Sequence, residues 1–208
     1  VENPVLTMQN NVLATTKVLD FARKVGSKRV IYSGSSSVIG DGNGPSSPYG
    51  LQKLISEMEC KLYSELYGVD TVTLRYFNVY GQGEQNKGRM ASVAFQSHRN
   101  GKFRLFPGEP KRDFVYIKDV VDATIYPLFN HVNPGIYEVG SGEARTFEDV
   151  LNLMGVKYRY RNEIDVPNGY QYFTEANKNE FMDGWSPIYN LEKGLKEKTY
   201  LYVCMNNS

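Results

Sequence analysis

Three consecutive segments between Arg29 and Tyr76 constrain this chain most. Arg29-Val30-Ile31-Tyr32-Ser33 is apolar enough for a buried strand. From Tyr49 to Gly68 the apolar residues recur at helical spacing, and Thr71 to Tyr76 reads as a second strand. A strand, a helix and a strand joined by such short connections place two strands side by side in a parallel sheet with a right-handed crossover. The fold class is therefore α/β, a doubly wound parallel sheet. Upstream, Val5, Met8, Val12, Thr15, Leu19 and Ala22 form one face of a helix, with Asn3 as N-cap, Pro4 in the first position and Gly26 ending it. In the second helix Leu51, Leu54, Ile55, Met58, Leu62 and Leu66 are expected to face inward.

The second half is more mixed. Strands are expected at Phe103–Phe106, Asp113–Tyr116, Ile136–Val139 and Lys157–Tyr160. Helices are expected at Met90–Asn100, Asp119–Asn130, Phe147–Met154 and from Leu191 onward. Asn162–Pro187 has no clear period and is dense in Asn, Gly and aromatics, a composition that suits a loop-built pocket as well as a surface loop.

Composition excludes several classes. The 24 Lys and Arg against 23 Asp and Glu leave a net charge of +1, too little for a strong global field toward nucleic acid or an anionic membrane. No apolar run approaches the roughly 18 residues of a membrane span. Two cysteines, Cys60 and Cys204, make no disulfide framework and fit a reducing, cytoplasmic setting. His98 and His131 lack ligand-spaced partners, so no metal site is expected.

Tyr49 and Lys53, four apart, lie on one helix face. An ammonium beside a phenol favours the phenolate, which suits an acid or base for alcohol–ketone interconversion. Spacing alone does not choose, because Tyr189 and Lys193 repeat it. Context favours Tyr49. The preceding strand runs into Gly34-Ser35-Ser36-Ser37-Val38-Ile39-Gly40, and the next ends in Arg75-Tyr76-Phe77-Asn78-Val79-Tyr80-Gly81. Both ends lie at the carboxyl edge of a parallel sheet, where open α/β folds bind ligands. Tyr189 has no such neighbours and is expected to pack beside the C-terminal helix.

These stretches, together with Pro48-Tyr49-Gly50-Leu51-Gln52-Lys53 and Arg112-Asp113-Phe114-Val115-Tyr116, resemble in order and spacing the extended short-chain dehydrogenase/reductases that act on nucleotide sugars. Lys87-Gly88, Met90-Ala91-Ser92-Val93-Ala94-Phe95, Leu105-Phe106, Gly135-Ile136 and Gly169-Tyr170-Gln171 are most similar to the branch that epimerises ADP-activated heptose. The resemblance implies a Rossmann NAD(P)-binding domain whose C-terminal part is residues 1–82. Residues 83–208 would be mostly a substrate-binding subdomain, with about 112–140 returning to the sheet. No Gly-x-x-Gly-x-x-Gly loop follows a strand here, so the resemblance places the first four strands and that loop before Val1. A sheet without them is expected to be aggregation-prone in isolation.

The resemblance also implies roles. Ser35 would hydrogen-bond the reacting hydroxyl, Tyr49 would be one acid/base, and Lys53 would grip the nicotinamide ribose beside it. Lys87 would be the second acid/base, also near the cofactor. Val79 would contact cofactor, and Asn78, Phe106, Gly108 and Tyr170 substrate. Arg112 would bind the diphosphate, as a planar, multiply donating cation does well; its bland alternative is a local ion pair with Asp113. Arg89 and Gln96 occupy substrate positions where that branch has a small hydroxyl residue and a histidine, which puts the choice of sugar in doubt. The implied cofactor is NADP or NAD and the implied substrate a nucleotide sugar. Homo-oligomerisation is implied, with no nucleic-acid or membrane partner. Other outcomes of the same chemistry, a 4-epimerase, dehydratase or reductase, stay open, as does an inactive remnant.

Overall fold

The computed structural model describes residues 3–40, 42–100, 102–166 and 170–197, with the side chains of 98–100 and 165 excepted. Cys204 and any helix beyond residue 197 lie outside the described residues. The chain divides into two compact units: residues 1–76, 123–139 and 178–185 in one, and 77–122, 140–177 and 186–208 in the other.

In the first unit, β1 (Val30–Ser35), β2 (Thr71–Tyr76) and β6 (Gly135–Val139) form a parallel sheet in the order β1-β2-β6. Val72, Leu74 and Val139 are fully buried in it, each such side chain contributing about 1.5–3 kcal/mol. Helix α3 (Pro48–Tyr67) is the crossover between β1 and β2, as the strand–helix–strand pattern requires. Ser47 caps it by accepting from the Gly50 N–H at 3.1 Å, Pro48 occupies the first turn, and Gly68 in the left-handed region ends it.

Which face of α3 is buried departs from expectation. Leu51, Met58, Leu62 and Leu66 are exposed, whereas Gly50, Gln52, Ser56, Glu57 and Cys60 are buried. The buried polar groups are satisfied. Gln52 accepts from Asn11 at 3.0 Å and donates to the Pro4 carbonyl at 3.2 Å, Ser56 donates to the Asn11 carbonyl, and Glu57 takes a two-pronged ion pair from Arg75. Hydrogen bonds thus replace apolar contact on that face, and the leucine stripe points outward. The first helix departs similarly. A π-helical stretch (Gln9–Leu13) separates α1 (Pro4–Met8) from α2 (Ala14–Val25). The extra residue rotates the phase, so Leu19 and Ala22 are buried while Val5 and Met8 are exposed.

In the second unit, β3 (Asn78–Tyr80) runs parallel to β5 (Lys111–Tyr116), which pairs antiparallel with β7 (Ala144–Thr146). A separate parallel pair joins β4 (Lys102–Leu105) to β8 (Lys157–Tyr160). Neither β3 nor β7 is legible in the sequence, each being three residues long. Tyr80, Ala94, Phe114, Tyr116, Val150, Leu191 and Leu195 form the core, with Tyr189 packed against them, so Tyr189 is a packing residue as its context implied. The helices are α4 (Val93–Asn100), α6 (Phe147–Leu153) and α7 (Leu191–Leu195). A further helix, α5 (Ile117–Phe129), begins in this unit and ends in the first. Helix α4 begins three residues later than expected, because Gly88–Met90 form a separate 3-10 turn.

Candidate active site

In the first unit three candidates gather around the carboxyl end of β1. Ser35 is the last residue of that strand, and its Oγ accepts from the Ser37 N–H at 3.3 Å and from the Ser37 hydroxyl at 2.9 Å. Tyr49, 39% exposed, lies in the first turn of α3. One turn on, the Lys53 ammonium donates to the Ser33 carbonyl at 2.8 Å and lies 6.0 Å from the centre of the Tyr49 ring and 5.1 Å from that of Tyr32. Burial of Lys53 lowers its pKa from the ordinary lysine value. The neighbouring Tyr32 hydroxyl is pushed up to about 12 by burial, which keeps it protonated. Gly50 makes this close packing feasible: a Cβ there would sit 2.7 Å from the Ser37 carbonyl oxygen, so only glycine lets α3 start this close to the turn after β1.

In the second unit the loop after β3 carries Lys87 and Arg89. Lys87 joins two 3-10 turns, Glu84–Asn86 and Gly88–Met90, with its side chain 48% exposed and its ammonium 3.7 Å from Glu84. The buried Glu84 carboxylate closes the loop at both ends, accepting from the Gly81 N–H at 3.1 Å and from the Ser92 N–H and hydroxyl at 2.6 and 2.8 Å. Sequence reasoning missed Glu84; its one signal was an acid three residues before the singled-out lysine. Gln96 donates to the carbonyls of Arg89 (3.1 Å) and Ala91 (2.6 Å), so its amide holds this loop.

A third group lies around β5. Phe106 packs edge-on against Tyr170 with ring centres 5.0 Å apart, and the Arg161 guanidinium lies 5.0 Å from the Phe106 ring centre. Gly108 has φ +88°, and a Cβ there would meet the Tyr172 ring at 2.8 Å. Pro107, Gly108, Glu109 and Tyr160 line a recess of about 580 Å³. Arg112 is buried between the Phe147 and Tyr170 rings, 5.8 and 5.4 Å from their centres. It donates to the carbonyls of Lys111 (2.9 Å) and Gln171. Burial raises the Tyr170 pKa above the ordinary tyrosine value, opposed by the Arg112 charge. Asp113 serves the fold: its carboxylate accepts from the backbone N–H groups of Ser141, Gly142 and Ala176 and from the Ser141 hydroxyl. Asn78 and Val79 lie on β3, in register with Phe114 and Val115.

Chemically, the first cluster joins a phenol to an anchored ammonium. The second offers a solvent-reaching cation on a loop fixed at both ends, and the third an aromatic enclosure around a guanidinium. Among the described residues no group of three His, Cys, Asp or Glu could hold a metal ion, and no helix is long and apolar enough to cross a membrane.

Residues 1–140 match the model of the NAD dependent epimerase/dehydratase family. The chain is 34% identical to the ADP-L-glycero-D-manno-heptose-6-epimerase of Fusobacterium nucleatum, over 97% of this chain and 73% of that protein. It is 32% identical to a putative UDP-glucose 4-epimerase of Methanocaldococcus jannaschii, over 94% of this chain and 70% of that protein. Among solved structures it is similar to the UDP-N-acetylglucosamine 4-epimerase of Methanobrevibacter ruminantium in complex with UDP-N-acetylmuramic acid. That match has a TM-score of 0.86 at 28% identity and covers all of this chain and 73% of that one.

Proposed function

Since this chain belongs to the NAD dependent epimerase/dehydratase family, we propose that it carries the proton-transfer and substrate-binding groups of a nucleotide-sugar epimerase acting on ADP-D-glycero-D-manno-heptose. The observation that carries the reading is the Lys53 ammonium held on the Ser33 carbonyl one turn from Tyr49. A lysine so fixed can steady a neighbouring phenolate and hydrogen-bond a ribose. Tyr49, Lys53, Val79 and Lys87 are the residues assigned to a nicotinamide cofactor, NADP by this reading and NAD by its nearest alternative. When bound, that cofactor supplies the reversible acceptance of hydrogen from carbon.

The chain's own part is proton movement and positioning. Ser35 Oγ holds the reacting hydroxyl, and Tyr49 Oη takes its proton as the alcohol becomes a ketone. Inversion requires the returning proton to reach the oxygen in the opposite orientation, which one fixed donor serves poorly. Lys87 Nζ is the second carrier, on a loop fixed by Glu84. Phe106 and Gly108 touch the nucleotide and Arg112 its diphosphate, Tyr170 is a further substrate contact, and Asn78, Arg89 and Gln96 lie toward the sugar. The enzyme is assigned to the cytoplasm. It is assigned as a homo-oligomer, for which the exposed stripe of Leu51, Met58, Leu62 and Leu66 provides an apolar face. Sedimentation of Met58→Glu with Leu62→Glu checks this: smaller species than wild type are expected, and an unchanged profile contradicts it.

The likeness to a UDP-glucose 4-epimerase at nearly the same identity favours one second reading, 4-epimerisation of a UDP-hexose. Incubating the full-length protein with ADP-heptose, UDP-glucose and UDP-N-acetylglucosamine separates the two. Epimerisation of the heptose alone is expected, and turnover confined to a UDP-sugar establishes the second reading instead.

A further inference from the structure

The two-stranded sheet β4–β8 has a chemically uniform outer face. Its parallel register sets Lys102 opposite Lys157, Phe103 opposite Tyr158, Arg104 opposite Arg159 and Leu105 opposite Tyr160. Side chains alternate across a strand, so Lys102, Arg104, Lys157 and Arg159 share one face. All four are exposed, while Phe103, Tyr158 and Leu105 on the alternate positions are partly or fully buried. Among the described residues none of the four has an ion pair.

Like charges directly opposite one another destabilise a sheet, and here both cross-strand pairs are like-charged. A fold selected for stability alone would place an acid at one of these positions. The four cations, with Phe103 and Tyr158, instead line a recess of about 420 Å³, within the range of small-ligand sites. Strand spacing puts the partners of each pair about 5 Å apart, and the two pairs lie about 6.6 Å apart along the strands. Long cationic side chains rooted at that spacing can converge on a short chain of phosphoryl groups. The net charge of +1 argues against a long polymer or a membrane, which a broad basic surface would attract.

We propose that the Lys102–Arg104 and Lys157–Arg159 face of the β4–β8 sheet is a binding site for a small polyphosphate anion, separate from the substrate groups assigned above. The strands link it to those groups. β4 leads into Phe106 and Gly108, and β8 into Arg161, whose backbone N–H donates to the Leu105 carbonyl at 2.7 Å and whose guanidinium covers Phe106. An anion that neutralises the cross-strand repulsion tightens the pairing on which this contact rests.

Calorimetric titration of the full-length protein with sodium tripolyphosphate tests the site. One anion per chain is expected, with affinity that falls as salt is raised and drops about tenfold or more in Lys102→Gln with Lys157→Gln, and in Arg104→Gln with Arg159→Gln. Because these substitutions remove like-charge repulsion, both variants should melt no lower than wild type, so lost binding is not lost folding. Equal affinity in wild type and both variants, or weak binding that saturates at no fixed stoichiometry, overturns the proposal and leaves an adventitious ion only. Loss of tripolyphosphate binding in Arg112→Gln at an unchanged melting temperature, with all four β4–β8 cations in place, would assign the anion to the substrate groups and equally overturn the proposal.

Discussion

The Lys53 ammonium donates to the Ser33 carbonyl at 2.8 Å, tying the second turn of α3 to the carboxyl end of β1. Twenty residues of chain separate the two partners, yet the bond fixes where the Lys53 charge stands relative to Tyr49. It is a point of contact between fold and chemistry, because the carbonyl belongs to a strand whose register is set by β2.

Removing that charge tests its role. Lys53→Met should retain the fold and lose about 10²–10³-fold in kcat, and Lys53→Arg should recover part of the loss. Steady-state rates on the preferred nucleotide sugar check this. Undiminished kcat in Lys53→Met would show that the ammonium does not serve Tyr49.

Glu84 is expected to act through the loop it closes. Glu84→Gln keeps an acceptor for some of the donors from Gly81 and Ser92 but removes the charge 3.7 Å from Lys87. We predict a fall in kcat in Glu84→Gln, and a smaller one in Ser92→Ala, which leaves that charge in place. Equal kcat for wild type and Glu84→Gln would show that the loop does not need this carboxylate to hold Lys87.

A pH prediction rests on Arg145. Its hydrogen bond to Glu192 at 2.8 Å holds that carboxyl below the ordinary glutamate value of 4.5. Because the folded-state value is the lower one, the pair adds stability above the unfolded glutamate value and loses it as pH falls through the folded one. Both side chains are partly exposed, so solvent screening keeps the contribution to at most about 1 kcal/mol. Urea midpoints of wild type and Arg145→Gln should differ most near neutrality and converge in acid. A gap that persists in strong acid would trace the effect to packing.

The strand–helix–strand frame was legible because its elements are long and their periods strong. Which face of α3 lies inside was not, because Gln52, Ser56 and Glu57 are buried through partners 18 to 48 residues away, a pairing that hydropathy does not encode. The π-helical stretch hid the phase change before Leu19 in the same way. Of the candidate site, Tyr49 and Lys53 could be singled out from their spacing and from the serine-rich strand end before them, whereas the choice of Ser35 among three consecutive serines came from the resemblance alone. The cationic face was divided between segments 55 positions apart, and only the β4–β8 register unites Lys102 with Lys157. Glu84 left little trace because a buried acid and a surface acid look alike in sequence.

The central claim is that Tyr49 moves the proton in a nucleotide-sugar epimerisation. The most direct measurement follows the sugar by NMR after adding wild-type or Tyr49→Phe full-length protein with nicotinamide cofactor. Wild type should bring the two epimers to equilibrium without net consumption of cofactor, and Tyr49→Phe, folded to the same melting temperature, should be slower by about 10³-fold or more. Equal rates for the two proteins would contradict the account.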